Sequence, residues 1–114
     1  MQSLEKGRFI ENADQKNGLL NILADDYSRQ IINQIFEKEK SAIQISRDTG
    51  IPPSTVYRKL LGMSNLKLLK ISGIISPEGK KIFLYQSKIR SVYARFECGL
   101  VNMEIIPNLF TSNL

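Results

Sequence analysis

The sequence predicts an α+β domain in which helices occupy the first half of the chain and two β-hairpins the second half. Apolar residues recur at the three-and-four spacing of helices between Leu19 and Phe36, and a glycine and two prolines interrupt a second helical segment at residues 50–53. From Ile74 onward, apolar and polar residues alternate around the turn signals PEGK and CG. The chain has 114 residues, 42% of them apolar, which suits one domain with a modest core.

Two helices are predicted before residue 40. A short helix near residues 18–23 contains Leu19 and Leu23, and a longer helix over about 26–38 carries Ile31 and Ile35 on one face. Asp25 separates them and is a good N-cap, because its carboxylate can accept hydrogen bonds from the amides of the first turn. Residues 1–17 are predicted to be a polar N-terminal extension.

The segment SAIQISRDTGIPPSTVYRKLL predicts two short helices joined by a tight turn. Ser41 can cap the first helix, Gly50 can adopt the positive φ that ends it, and Pro53 or Ser54 begins the second. Two helices that cross steeply need a small residue before the turn and apolar residues on both sides of it. The chain has these residues at the spacing of a helix-turn-helix, namely Ile45, Ser46, Ile51, Val56 and Leu60. Ser46 and Thr49 depart from the pattern, since alanine and an aliphatic residue are commoner there.

A β-hairpin is predicted directly after the second helix. Gly73 ends the helical stretch, Ile74 and Ile75 favour a strand, PEGK is a turn and KIFLYQ is the returning strand. GMSN suggests a bend or a break and leaves two alternatives for the second helix. It ends near Met63, or it continues with a kink to about Ile71.

The following residues predict a second β-hairpin, with strands at about 89–97 and 100–106 and a turn at Cys98 and Gly99. Val92, Ala94 and Phe96 alternate with polar or aromatic neighbours, as in a strand with two different faces. This hairpin, within residues 89–107, either pairs two subunits or covers the core of its own domain. Residues 108–114 are predicted to be a frayed or loosely docked tail.

Basic residues are concentrated in the middle of the chain. Residues 1–40 contain six Lys or Arg and seven Asp or Glu, residues 41–95 contain ten and two, and residues 96–114 contain none and two. The net charges of the three segments are therefore −1, +8 and −2. A basic surface attracts nucleic acid, because each phosphate that it neutralises releases condensed counterions. The alternative is a solvated basic face without a partner.

Residue usage excludes several classes of chemistry. With no histidine and one cysteine, the chain cannot form a Ser-His-Asp triad, an internal disulfide or the usual His/Cys zinc site. The glycine patterns of nucleotide-binding loops are missing as well. We therefore predict no enzymatic activity and no cofactor. The chain has no apolar run of membrane-spanning length and a polar N-terminus unlike a signal peptide, which predicts a cytoplasmic protein without membrane association.

The segment from about Leu23 to Gln86 resembles a winged helix-turn-helix domain of the ArsR-like transcriptional regulators, particularly the small archaeal ones, and the predicted DNA-binding domain is residues 18–88. The resemblance rests on LADDYSRQIINQI, SAIQISRDTGIPPSTVYRKL and SGIISPEGKKIFLYQ, and it covers a little over half of the chain. It implies a homodimeric transcription factor whose second motif helix enters the major groove of double-stranded DNA. The hairpin, called the wing, would contact the backbone or the minor groove. Metal-sensing relatives carry Cys and His ligands on a helix, so metal sensing is not expected here.

The resemblance implies that DNA-binding residues lie on the two motif helices and on the wing. Arg58 is the first candidate for base recognition, because arginine can make a bidentate contact to guanine. Tyr57 is a second candidate, with packing in the core as its alternative role. Ser41 and Gln44 could hold a phosphate at the amino end of the first motif helix. The full predicted set is Ser41, Gln44, Pro53, Ser54, Thr55, Tyr57, Arg58, Lys59, Lys80 and Lys81.

Two other functions are compatible with the sequence. One is a winged-helix protein-interaction module within a transcription or replication complex, which would bind its partner through the apolar second hairpin. The other is an enzyme, which would need a pocket with paired acidic residues that the sequence does not suggest. Cys98 in a hairpin turn is either an inert residue or an exposed thiol that crosslinks two subunits.

Overall fold

A computed structural model of the chain describes residues 7–112, which contain five helices and five strands, and this confirms the predicted α+β class. The helices are α1 (Ala13–Ala24), α2 (Asp26–Gln34), α3 (Ala42–Thr49), α4 (Pro53–Asn65) and α5 (Leu109–Ser112). The strands are β1 (Arg8–Ile10), β2 (Leu69–Ile75), β3 (Lys81–Ser87), β4 (Ile89–Glu97) and β5 (Leu100–Pro107). They form a two-stranded sheet, β2-β3, and a three-stranded sheet in the order β1-β5-β4.

The first helix begins earlier than predicted. α1 starts at Ala13 and not near residue 18, because the side chain of Asn12 caps it by accepting a hydrogen bond of 2.9 Å from the backbone N–H of Gln15. Asp25 is the N-cap of α2, as predicted, and its carboxylate accepts from the backbone N–H of Ser28. The predicted extension over residues 1–17 is therefore wrong for residues 8–17, which belong to β1, α1 and the turn between them, and residues 1–6 lie outside the described residues.

The second helix ends earlier than predicted, at Gln34 and not near residue 38. Strand β3 takes over the carbonyl groups that follow. The backbone N–H of Ser87 donates to the carbonyl of Ile35, and the side-chain amide of Gln86 donates to the carbonyls of Phe36 and Glu37. These bonds hold residues 35–37 against the sheet and remove them from the helix.

The turn between α3 and α4 has the predicted geometry. Gly50 adopts φ 79°, a conformation that costs glycine little, and Pro53 is the first residue of α4. The two residues that depart from the usual pattern bind the turn directly. The hydroxyl of Ser46 donates to the carbonyl of Ile51 at 2.6 Å. The hydroxyl of Thr49 donates to the carbonyl of Ile45 at 2.7 Å and accepts from the N–H of Ile51 at 3.2 Å.

Helix α4 runs unbroken through Gly62 and ends at Asn65, two residues beyond the predicted end near Met63, so the predicted bend and the alternative kinked extension to residue 71 are wrong. The helix ends in a Schellman motif, in which Lys67 has φ 61°. The N–H of Lys67 donates to the carbonyl of Ser64 and the N–H of Leu68 to that of Met63. Strand β2 begins immediately afterwards, and Gly73, predicted to end a helix, lies within that strand.

The predicted hairpin after α4 is confirmed and is longer than expected. β2 and β3 pair in seven registered positions from Leu69 opposite Ser87 to Ile75 opposite Lys81, and the turn between them includes Gly79 with φ 83°. A single bridge between Lys40 and Tyr85 joins the residue before the cap of α3 to β3. The backbone N–H of each donates to the carbonyl of the other, so the hairpin is fastened to the amino end of α3.

The second predicted hairpin is also confirmed. β4 and β5 pair from Ile89 opposite Pro107 to Glu97 opposite Leu100, with Cys98 and Gly99 both at positive φ in the turn. Such a two-residue turn matches the right-handed twist of the strands. β1 pairs with the other side of β5, with Ile10 opposite Met103, and completes the sheet.

One core joins the helices to both sheets. Its buried side chains come from α1 to α4, from strands of both sheets and from the segments that connect them. The buried apolar members are Ile10, Leu19, Ile31, Ile35, Ala42, Ile45, Ile51, Val56, Leu60, Met63, Leu68, Leu69, Ile89, Met103 and Ile105.

The predicted tail is docked and not frayed at its first residue. The side chain of Asn108 has 0% exposure, and its amide donates to the carbonyls of Phe36 and Ser87 at 2.7 and 2.8 Å. α5 follows, and the ring of Phe110 packs edge-on against Phe36 with centroids 5.6 Å apart. The end of β5 is thereby attached to the junction between α2 and β3.

Candidate functional site

Helix α4 presents one apolar face to the core and one polar face to solvent. Val56, Leu60 and Met63 are buried. The exposed side chains follow the same three-and-four spacing on the opposite face, and they are Ser54, Tyr57, Arg58, Leu61 and Asn65. Tyr57 and Arg58 thus point outward, as predicted, and the core uses neither of them.

The amino end of α4 is open, in contrast to that of α3. Pro52 precedes the helix, and no side chain caps its first turn. Pro53 and Ser54 are exposed and Thr55 is half-buried. The backbone N–H groups of Ser54 and Thr55, together with their hydroxyls, are therefore donors that a phosphate or a base edge can use.

Ser41 caps α3, as predicted, and Gln44 takes part in the same cap, which the sequence prediction did not include. They form a capping box, in which the Ser41 hydroxyl accepts from the N–H of Gln44 at 3.2 Å and the Gln44 side chain accepts from the N–H of Ser41 at 3.0 Å. Two of the amides proposed to hold a phosphate are therefore already paired within the protein. The amino end of α4 is the better phosphate site.

Lys59 points away from the exposed face of α4. Its ammonium lies 2.9 Å from the carboxylate of Asp25, the N-cap of α2, and its side chain is mostly buried. Lys59 follows Val56 by one turn and so lies beside the buried face of the helix. Lys59, one of the predicted DNA-binding residues, thus makes an ion pair that joins α4 to α2.

This ion pair lowers the pKa of Asp25 from 3.8 to about 2. The hydrogen bond from Lys59 is the main cause, and the hydroxyl and backbone N–H of Ser28 add to it at 2.8 and 2.9 Å. All three donors stabilise the ionised carboxylate in the folded state.

We expect the stability of the protein to fall between about pH 4 and pH 2 in a way that depends on Asp25. The folded-state pKa is the lower one, so the stabilisation is fully present above pH 4 and is lost as the carboxylate is protonated. Asp25→Asn keeps a capping oxygen but cannot ionise. Urea unfolding at a series of pH values should therefore show a shallower decline for Asp25→Asn than for the wild type, and equal declines would contradict the assignment.

A groove of about 410 Å³ lies between α3, α4 and the hairpin. It brings together four of the predicted residues, Ser41, Gln44, Tyr57 and Lys81, and adds residues that the prediction missed as groove members, chiefly Arg47, Phe83 and Tyr85. Lys81, Phe83 and Tyr85 occupy alternate positions of β3 and so share one face of the hairpin. That alternation was visible in KIFLYQ, but only the structure shows that the face meets α4.

Aromatic rings support the positive charge in this groove. The ammonium of Lys81 lies 5.2 Å from the centre of the Phe83 ring, within the range of a cation–π contact. Burial raises the pKa of the Tyr85 phenol, and the neighbouring Tyr57 adds to the effect. Tyr85 therefore stays neutral and keeps a hydroxyl donor near the groove. Lys80 is exposed in the hairpin turn beside Lys81.

The predicted site residues that are exposed thus lie on α4, along the groove and at the tip of the hairpin.

A scan of protein-family models and a search of curated proteins both gave no match to this chain. Within residues 7–112, no three side chains of the metal-binding types come together, and none of the helices has the length and apolarity to cross a membrane.

Proposed function

We propose that the protein is a DNA-binding transcriptional regulator of the winged helix-turn-helix kind, with α3 and α4 as the helix-turn-helix and β2-β3 as the wing. The observation that carries the proposal is the outer face of α4. It is free of core contacts, begins with open N–H donors, and meets a basic groove with Lys81 and Arg47. The core does not use the side chains of this face, so they are available to a partner.

The major groove of DNA suits α4. The groove is about 12 Å wide, and a helix with its side chains has a similar diameter. Ser54, Tyr57 and Arg58 lie in the first half of α4, which is the half that reaches the bases in helix-turn-helix proteins. The guanidinium of Arg58 would read guanine, and Leu61, one turn after Tyr57, would contact a thymine methyl group.

The hairpin supplies contacts to the phosphate backbone. Lys80 and Lys81 lie at its tip, and the bridge between Lys40 and Tyr85 holds β3 in place beside α3. The bridge thus fastens the hairpin that carries these lysines to the amino end of α3. Contacts of this kind set the register of the protein on the duplex and do not read its sequence.

The proposal is tested by measuring affinity for a duplex that the protein selects from a random pool, and for a scrambled duplex of the same length, over a range of salt concentrations. Arg58→Ala should weaken binding to the selected duplex by about 5- to 150-fold and to the scrambled duplex much less. The pair Lys80→Ala and Lys81→Ala should weaken both duplexes equally and reduce the salt slope by about 2.

Arg8→Ala is the matched control, because Arg8 is an exposed cation on the other sheet. It should leave both affinities unchanged. The proposal fails if no duplex binds with a salt-dependent affinity, or if Arg8→Ala has the same effect as Arg58→Ala. Thermal unfolding of each variant distinguishes lost contacts from a lost fold.

Exposed aromatic side chains on the three-stranded sheet favour a second function, a protein-interaction module. Phe9, Tyr93 and Phe96 are all mostly exposed there. A module of this kind would bind a partner protein while showing no salt-dependent affinity for either duplex.

A further inference from the structure

Strand β4 offers an unpaired edge. In the order β1-β5-β4, β4 is an outer strand, and within residues 7–112 no strand pairs with its far side. The strand has nine residues and contains no proline. Natural proteins usually shorten, charge or cover such an edge, because its N–H and C=O groups can pair with another chain.

The backbone N–H and C=O groups that point toward the outer edge of β4 can be identified. The turn at Cys98 and Gly99 has two residues, so the flanking pair, Glu97 and Leu100, exchanges hydrogen bonds within the hairpin. Pairing then alternates, and Val92, Ala94 and Phe96 direct their backbone groups outward. Val101 lies opposite Phe96, so its carbonyl points away from β4. That carbonyl accepts a hydrogen bond of 2.9 Å from the ammonium of Lys16.

A projecting aromatic ring and an apolar groove lie along the same edge. Phe96 has 74% exposure, although it shares the inner face of the sheet with Val92 and Ala94. Four residues earlier, a groove of about 420 Å³ separates Val92 from α2, and the apolar side chains along it include the half-buried Leu23, Ile32 and Phe36. The groove is large enough for a phenyl ring.

We propose that two copies of the chain pair through β4, antiparallel, about a two-fold axis that passes between the two Ala94 residues. A two-fold axis perpendicular to the sheet keeps each residue on its own face. Phe96 of one copy then lies opposite Val92 of the other and enters its groove, and the same contact occurs twice. The two three-stranded sheets become one sheet of six strands.

The outer face of the sheet agrees with this register. Tyr93 of one copy lies opposite Arg95 of the other, which allows a cation–π contact, and Ser91 lies opposite Glu97. A register centred on Tyr93 would instead place Phe96 opposite Arg90, a charged residue of the groove lining, and not opposite the apolar Val92. The four aromatic side chains, each with about 150–250 Å² of surface, would supply roughly half of the about 1,000 Å² expected of a specific interface, and the rest would come from the other residues of the paired strands.

Crosslinking tests the register. In a Cys98→Ser background, Ala94→Cys places two thiols about 5.5 Å apart between their Cα atoms, which a disulfide can bridge. Tyr93→Cys is the matched control, because its two Cα atoms would be about 8 Å apart, too far for a disulfide. Oxidation should give a covalent dimer with Ala94→Cys and none with Tyr93→Cys. A dimer with Tyr93→Cys alone, or with neither variant, would overturn the proposed register.

Sedimentation equilibrium tests the contact itself. Phe96→Ser should weaken dimerisation by about 100-fold or more, since it removes the same ring twice from a desolvated groove. Leu100→Ser, an equally exposed change on the opposite face of the same hairpin, should leave it unchanged. The proposal is wrong if the wild type stays monomeric, or if Leu100→Ser and Phe96→Ser have equal effects. It does not rest on DNA binding, and both experiments are done without DNA.

Discussion

Leu60→Ala is expected to lower the free energy of unfolding by about 2–5 kcal/mol, whereas Leu61→Ala should change it by about 0.5 kcal/mol or less. The two leucines are neighbours on α4 with opposite environments. Leu60 has 1% exposure and Leu61 has 62%. Leu60 packs in the core that α4 shares with α2 and α3, so its truncation removes apolar contact and leaves a cavity.

Chemical denaturation of the two variants measures this difference, because the substitution is chemically the same in both. The helix propensity of the new residue is also the same, so it cancels in the comparison. Similar losses for both variants would show that α4 does not bury the face described. The Leu61→Ala protein, folded as the wild type, is then available to test the contact that we propose with DNA.

Asn108→Ala is expected to cost about 2–4 kcal/mol. The buried side chain donates to the carbonyls of Phe36 and Ser87 and accepts from the backbone N–H of Phe110. Alanine would remove the donor to the buried carbonyl of Ser87 and the acceptor of the Phe110 N–H, and the carbonyl of Phe36 would keep only the hydrogen bond from Gln86. A buried polar group that loses its partner pays the cost of desolvation. Asn108→Asp should be at least as harmful at neutral pH, since a carboxylate has no donor for the two carbonyls.

Asn102→Ala is the control for this prediction, because Asn102 is an exposed asparagine on β5. Thermal unfolding should show a large fall in midpoint for both Asn108 variants and a small one for Asn102→Ala. If Asn108→Ala had the same unfolding midpoint as the wild type, the end of β5 would not be attached to the helical core in the manner described.

The parts of the fold that could be predicted are those that local chemistry determines. The turn at Gly50, the cap at Asp25 and the hairpin turn at Cys98 and Gly99 were each visible as residue types at fixed positions. The early end of α2 could not be predicted in this way, because Gln86 and Ser87 hold the carbonyls that follow it. The docking of Asn108 depends on equally distant partners.

The start of β2 shows a different difficulty. LKLLKI is apolar enough for a buried helix or a buried strand, and its pattern does not separate the two. The left-handed conformation of Lys67 decides the outcome by ending α4, and a lysine gives no signal for that conformation. A glycine at this position would have allowed the end of α4 to be predicted from the sequence.

The candidate site was predictable in part, on the outer face of α4, at the start of α3 and at the lysines of the hairpin tip. The helical period placed Tyr57 and Arg58 outside, and the structure agrees. The same reasoning placed Lys59 on the exposed face. Lys59 lies at the border between the two faces of α4, and its ion pair with Asp25 holds the side chain on the buried side. The groove depends on how the hairpin packs against α3, which no local pattern encodes.

The pairing of β1 with β5 has a consequence for the order in which the chain folds during synthesis. Residues 8–10 leave the ribosome well before their partners, residues 103–105, which lie more than ninety positions later in the sequence. The helices and the first hairpin can form from contacts between neighbouring segments while translation continues. β1 must wait, so the three-stranded sheet is the final part to assemble, and a nascent chain halted before β5 would leave the hydrophobic side chain of Ile10 uncovered.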